Sequence, residues 1–293
     1  MLRVTNQESK ARGSRRFATV RLFTRNKTAL FGAAVLLFFI VVALGAPLIA
    51  THRPADMDPS LRLNKPNAVY FFGTDRFGRD LYSRVVYGSR ISLGVGLSVV
   101  ASTTILGALL GLLAGYFRSV DEILMRILDG LMAFPGIILM ITIMAVLGSN
   151  LFNVILALTV VYTPRMARVV RSAVMVQREM TYVEAARAAG AGDLRILLWH
   201  IPRNCVAPVI IQATMIFAYS VLSESSLSFL GVGVPPEIPS WGNLLSDGKV
   251  FLRRAPWITI FPGLTIAACV LALNTLGDGL RDILDPRIRK KKI

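Results

Sequence analysis

The residues of this 293-residue chain whose types invite chemistry are two cysteines, two histidines and one carboxylate inside an apolar run. Cys205 and Cys269 stand at the start and in the middle of apolar runs, with no CxxC or Cys/His cluster near either. They read as small apolar packing residues, and neither a disulfide framework nor a metal site is expected. His52 and His200 stand alone. No HExxH pair, carboxylate dyad or nucleophile with a base is present, so no catalytic constellation is expected. The phosphate-cradling pattern GxxxxGK[ST] is also missing, which leaves the chain no evident means of holding ATP. Glu224 differs, because it lies among apolar residues with Ser223, Ser225, Ser226 and Ser228 beside it as hydrogen-bond donors. It is the candidate intramembrane polar site, since ionisable groups in such runs are commonly functional. A loop-anchoring or helix-packing carboxylate near the outer surface is the preferred reading over solute contact.

The elements that would position these groups follow from composition. With 54% hydrophobic residues and a net charge of +16, the chain is too apolar for an ordinary soluble domain yet strongly basic. The positive charge is divided between long uncharged runs and forms no stripe alternating with aromatics, which argues against a nucleic-acid partner. Crossing a bilayer takes roughly 20 apolar residues in a helix. Ala29 to Ala50 is uncharged for 22 residues, Ile91 to Phe117 for 27 and Ala255 to Gly277 for 23. Each is expected to cross once. Gly130 to Pro164 is uncharged for 35 residues and carries the turn formers Gly148, Ser149 and Asn150, so it is expected to form a tight hairpin of two spans. A fifth span is expected from Cys205 towards Leu230. Its Glu224 costs on the order of 3 kcal/mol if central, and the Val, Ile, Leu and Phe residues return roughly 0.5 kcal/mol each. The span therefore inserts, with Glu224 nearer one end than the middle.

Six alternating spans with the N-terminus inside place 23 of the 33 lysines and arginines on the cytoplasmic side. The positive-inside bias thus predicts that both termini are cytoplasmic. The resulting organisation is a basic cytoplasmic segment 1–28, a transmembrane region 29–277 and a basic cytoplasmic tail 278–293. Within the transmembrane region fall outer loops 51–90 and 231–254 and a cytoplasmic loop 165–204. The first apolar run is longer than a signal-peptide core and lacks a clear cleavage site, so it is expected to remain as an anchor. Arg15 to Lys27 interleaves apolar and basic residues and is expected to lie on the anionic inner leaflet.

The most informative loop reads TYVEAARAAGAGDLRILLWHIPRN, Thr181 to Asn204. Alanines favour a first short helix, Gly190 and Gly192 break it, Asp193 is placed to cap a second, and Pro202 discourages its continuation. Two helices about a glycine elbow make a protrusion with a shallow alanine surface, on which Glu184 and Arg187 offer charge. In the outer segments, Gly73, Thr74, Asp75, Gly78, Arg79 and Asp80 have turn chemistry, and Pro235, Pro236, Pro239 and Trp241 suggest a stiff loop.

EAARAAG followed by HIPRN resembles the EAA loop of type I ABC importer permeases. The segments FGTDRFGRDLYSRVVYGSRISL, LSESSLSFLGVGVPPEIPSWGNLL and GDGLRDILDPR are similar to parts of the C-type permease of dipeptide and oligopeptide importers. AGYF and the R-xx-R pattern of Arg168 and Arg171 add to the match, which extends from about residue 20 to 287. The resemblance implies an all-α, six-span permease of the bacterial inner membrane that is not itself an enzyme. It implies a homologous permease subunit as partner, cytoplasmic ATPase subunits that hold ATP and magnesium, and an extracytoplasmic solute-binding protein. Glu184, Ala185, Ala186 and Gly190 are the ATPase-docking residues it implies. One departure is that the proline of the family's His-Ile-Leu-Pro-Asn stands a place early here, at Pro202. The rival reading is a stand-alone secondary transporter or channel, for which inverted repeats and charged broken helices are the signature. No convincing internal repeat is visible.

Overall fold

A computed structural model describes residues 26–284. The basic tail from residue 285 and nearly all of the expected surface helix at Arg15 to Lys27 lie outside the described residues. The first span, α1 (Lys27–Leu44), begins where the Asn26 side chain accepts from the Ala29 amide at 3.2 Å. It is apolar on every side, with Leu37 and Phe38 about 60% exposed, as suits a helix surrounded by lipid. A four-residue turn, α2 (Ala46–Ile49), extends it.

Helix α3 (Leu81–Tyr116) is 36 residues long and so about 54 Å, well beyond a hydrocarbon layer of about 30 Å. It starts ten residues before the expected Ile91, taking the last ten residues of the expected loop 51–90. The Asp80 carboxylate caps it by accepting from the Ser83 amide at 3.0 Å. The charge of Arg84 disguised this turn as loop in the sequence, but its side chain is 1% exposed and lies near buried acids.

The expected hairpin at 130–164 is only partly what forms. Its turn is in place, with Gly148 at φ +83° and the Asn150 side chain capping α6 (Leu151–Arg178). Its first arm, α5 (Gly136–Leu147), has 12 residues and reaches about 18 Å, too short to cross alone. It is preceded by α4 (Arg118–Met132), bent from it by 89°. Pro135 stands at that break, where the missing amide and the pyrrolidine ring disfavour a continuous helix. Among the described residues five helices are individually long and apolar enough to cross, six if the bent α4–α5 pair counts as one span.

Helix α6 runs through Pro164 into the expected loop 165–204. Two of its cationic side chains there are matched, Arg171 by Asp121 and Arg168 by Asp129 at 2.7 Å. It packs along α3 because Gly107, Gly111 and Gly115 make a small-residue seam: a Cβ at these sites would approach Met166, Ala167 or Val174 to within 2.7 Å. Two short helices, α7 (Thr181–Ala188) and α8 (Asp193–Arg195), lead through a wide turn at Ile196–His200 into α9 (Pro202–Phe229). A short, largely buried helix α10 (Trp241–Gly248), inside the expected loop 231–254, precedes the last span α11 (Trp257–Leu284).

Candidate functional site

The α7–α8 elbow is closed by backbone geometry. The Gly190 amide donates to the Arg187 carbonyl at 2.9 Å and the Ala191 amide to the Ala186 carbonyl at 2.9 Å. With Gly190 at φ +83°, this is a Schellman termination, and its left-handed residue is one that glycine occupies without strain. Buried Val183, Ile196, Leu197 and Ile201 fix the elbow to the bundle. Glu184, Ala185 and Gly190 face outward, and Ala186 is half-buried against the core. The four expected docking residues therefore share one protrusion, beside exposed Leu194 and Leu198.

Asp193 does not cap the second helix as expected. Gly192 occupies the cap position, and the Asp193 carboxylate accepts a hydrogen bond from the Tyr116 hydroxyl at the end of α3. Arg187 donates to the same hydroxyl at 3.1 Å and lies 3.7 Å from Asp193. Arg178 donates to the Gly115 and Tyr116 carbonyls at 3.3 and 3.4 Å. Both sides of the elbow are thus tied to the end of the longest helix through one phenol. The AGYF segment supplies that tyrosine, but nothing in the sequence spacing joins residues 77 positions apart. Pro202 begins α9 and does not end a helix before it, so the elbow feeds directly into that span. At position N1 a proline lacks only an amide that has no intrahelical partner.

Glu224 lies 22 residues along α9 from Pro202, about 33 Å from the elbow end, and belongs to a separate site. It is fully buried. Ser92 of α3 donates to one oxygen at 2.9 Å, and Ser228 donates to the other at 2.9 Å. These hydroxyls in turn accept from the Trp241 amide at 3.3 Å and the Val234 amide at 3.1 Å. The carboxylate therefore organises α3, α9 and the segment that returns between them. Trp241, fully buried, donates from its indole to the Val85 carbonyl at 3.0 Å, and Asn243 gathers the carbonyls of Val234, Pro235 and Ile238.

At the same end, the GTDRFGRD segment folds as a closed loop. Asp75 accepts from the Phe77 and Arg79 amides at 2.8 and 3.0 Å, and Gly73 and Gly78 both take φ +75°. Arg79 binds Asp75 at 2.6 Å and reaches Asp247 of α10 at 3.2 Å, while Arg76 meets Asp247 at 3.0 Å. Burial pushes the Asp247 carboxyl up, against the pull of Arg76, Arg84 and Arg79. Loop 51–90 and α10 are thereby joined by a buried charge cluster that the sequence showed only as separate turn residues.

Residues 105–290 match the family described as binding-protein-dependent transport system inner membrane component, and residues 18–66 match the N-terminal transmembrane domain of oligopeptide transport permease C. The chain belongs to the binding-protein-dependent permease family. It is 47% identical over 271 residues to a putative peptide transport system permease protein of Brucella abortus, covering 92% of each chain. The dipeptide transport system permease protein DppC of Alkalihalophilus pseudofirmus is 44% identical, with 90% of this chain and 88% of the relative covered. The glutathione transport system permease protein GsiD of Pectobacterium atrosepticum is 40% identical, with 92% and 90% covered. The inward-facing MetNI methionine ABC transporter has a chain that covers 68% of this one with a TM-score of 0.58 at 19% identity, a likeness of fold. This permease is therefore a multi-pass subunit of an ABC importer in the inner membrane.

Proposed function

We propose that this permease carries di- or oligopeptides, or a related small solute, and forms the path together with a homologous permease subunit. Cytoplasmic ATPase subunits hold ATP and magnesium, and an extracytoplasmic binding protein delivers the solute. The chain itself is non-catalytic. The observation that carries the reading is the elbow: an exposed alanine surface with Glu184, Ala185, Ala186 and Gly190, locked to α3 by Tyr116. A docked partner that moves this surface moves the spans, because α8 continues into α9 and Tyr116 ends α3. The peptide class is drawn from the relatives above, whose names also include glutathione.

The reading places the elbow and both termini in the cytoplasm, and the Glu224 end with GTDRFGRD outside. Single cysteines at Asn64 and Pro236 are then labelled by a membrane-impermeant thiol reagent from outside, whereas Gly192→Cys is not. Outside labelling of Gly192→Cys alone reverses the orientation and removes the elbow from the ATPase.

A further inference from the structure

Three arginines recur on α6 at positions 165, 168 and 171, and two of them have acid partners, Asp129 and Asp121. Arg165 is exposed and has no carboxylate partner among the described residues. It lies 14 residues from the start of a 28-residue helix, about 21 Å along it. Its guanidinium carbon instead rests 5.4 Å from the Tyr162 ring centroid and 5.5 Å from that of Tyr219 on α9. The Tyr162 hydroxyl is 2.7 Å from that of Ser223. Arg165 lines an open, surface-facing cavity of about 340 Å³, whose wall also includes Met132, Arg168, Val169, Ser172 and Gln212.

An arginine on a membrane-crossing helix is disfavoured against acyl chains and is found facing water or protein. The two tyrosines hold the guanidinium through their ring faces and leave its hydrogen-bonding edge unmatched. A carboxylate matches that edge with two parallel bonds, and an exchange of ring contacts for a carboxylate keeps binding shallow enough for release. We propose that Arg165, between Tyr162 and Tyr219, is a station on the translocation path for the carboxylate of the transported solute. This deepens the permease reading and rests on it.

The test uses the assembled transporter in proteoliposomes. Ser172→Cys on the cavity wall is modified with anionic and cationic thiosulfonate reagents, with the two native cysteines, both buried, as unreactive background. With Arg165 present the anionic reagent reacts faster, and Arg165→Gln lowers the anionic-to-cationic rate ratio severalfold. Uptake of a mixture of free dipeptides, read by mass spectrometry, falls about tenfold in Arg165→Gln, the effect of one lost charge-assisted bond. Basal ATPase activity and membrane abundance stay unchanged. No reaction at Ser172→Cys, a ratio indifferent to Arg165 (as when a carboxylate of the partner permease neutralises it), or unchanged uptake overturns the station. If the unaltered transporter takes up no dipeptide while the rate ratio still depends on Arg165, the peptide assignment fails and the anion station stands.

Discussion

Gly190→Glu is the perturbation that best separates docking from folding. The residue sits at φ +83°, so any ordinary side chain costs about 1–2 kcal/mol of backbone strain in the elbow. Apart from its two chain neighbours, no heavy atom of the described residues lies within 4 Å of the position a Cβ would take, so the added side chain points into open space that a docked partner would fill. A carboxylate buried there without compensation costs roughly 3–5 kcal/mol more. Together these weaken docking by about a thousandfold or more. Gly190→Ala isolates the strain and is expected to lose about tenfold in coupling. Gly190→Asn relieves the strain but keeps bulk, because Asn tolerates the left-handed region. The assay is co-purification of the ATPase subunit together with ATP-driven uptake, both normalised to membrane abundance. Expected losses rank Glu first, with Ala and Asn milder. Gly190→Glu at normal abundance, with its partner retained and uptake unchanged, refutes the argument that this surface is docked.

Tyr116→Phe removes the hydroxyl shared by Asp193 and Arg187, a loss of about 1–3 kcal/mol in elbow placement. It is expected to lower transport severalfold at unchanged ATPase co-purification, measured as solute moved per ATP hydrolysed. Glu224→Ala leaves Ser92 and Ser228 without their acceptor and is expected to destabilise by about 1–3 kcal/mol, read as faster proteolysis within 231–240. Glu224→Gln keeps an acceptor and is expected to be milder. Asp247→Ala takes from Arg76 its acid and leaves Arg79 and Arg84 with Asp75 alone, and is expected to cost about 1–3 kcal/mol, seen as a lower thermal midpoint of the purified subunit.

Apolar runs located most spans, because a helix in hydrocarbon must be long and uncharged, and α1, α9 and α11 begin within a few residues of their expected starts. The same rule misplaced the start of α3, because it treats every arginine as solvated and Arg84 is buried against Asp75 and Asp247. It also merged α5 into a full span, where Pro135 breaks the path and only 12 residues follow it. The Gly190 turn was legible because a left-handed residue demands glycine. The role of Asp193 was not, since its partner Tyr116 is brought to it only by the packing of α3 on α6. Arg165 looked like one more basic residue of a loop until α6 was seen to run straight through it.

Reconstitution of ATP-driven uptake tests the central claim most directly. Proteoliposomes are prepared with this chain, its homologous permease, the ATPase subunits and the binding protein, and each component is omitted in turn while dipeptide uptake is followed. The expected result is uptake that needs ATP and is lost on omission of any component, this chain included. Uptake by this chain alone without ATP, or uptake that persists when it is left out, contradicts the account.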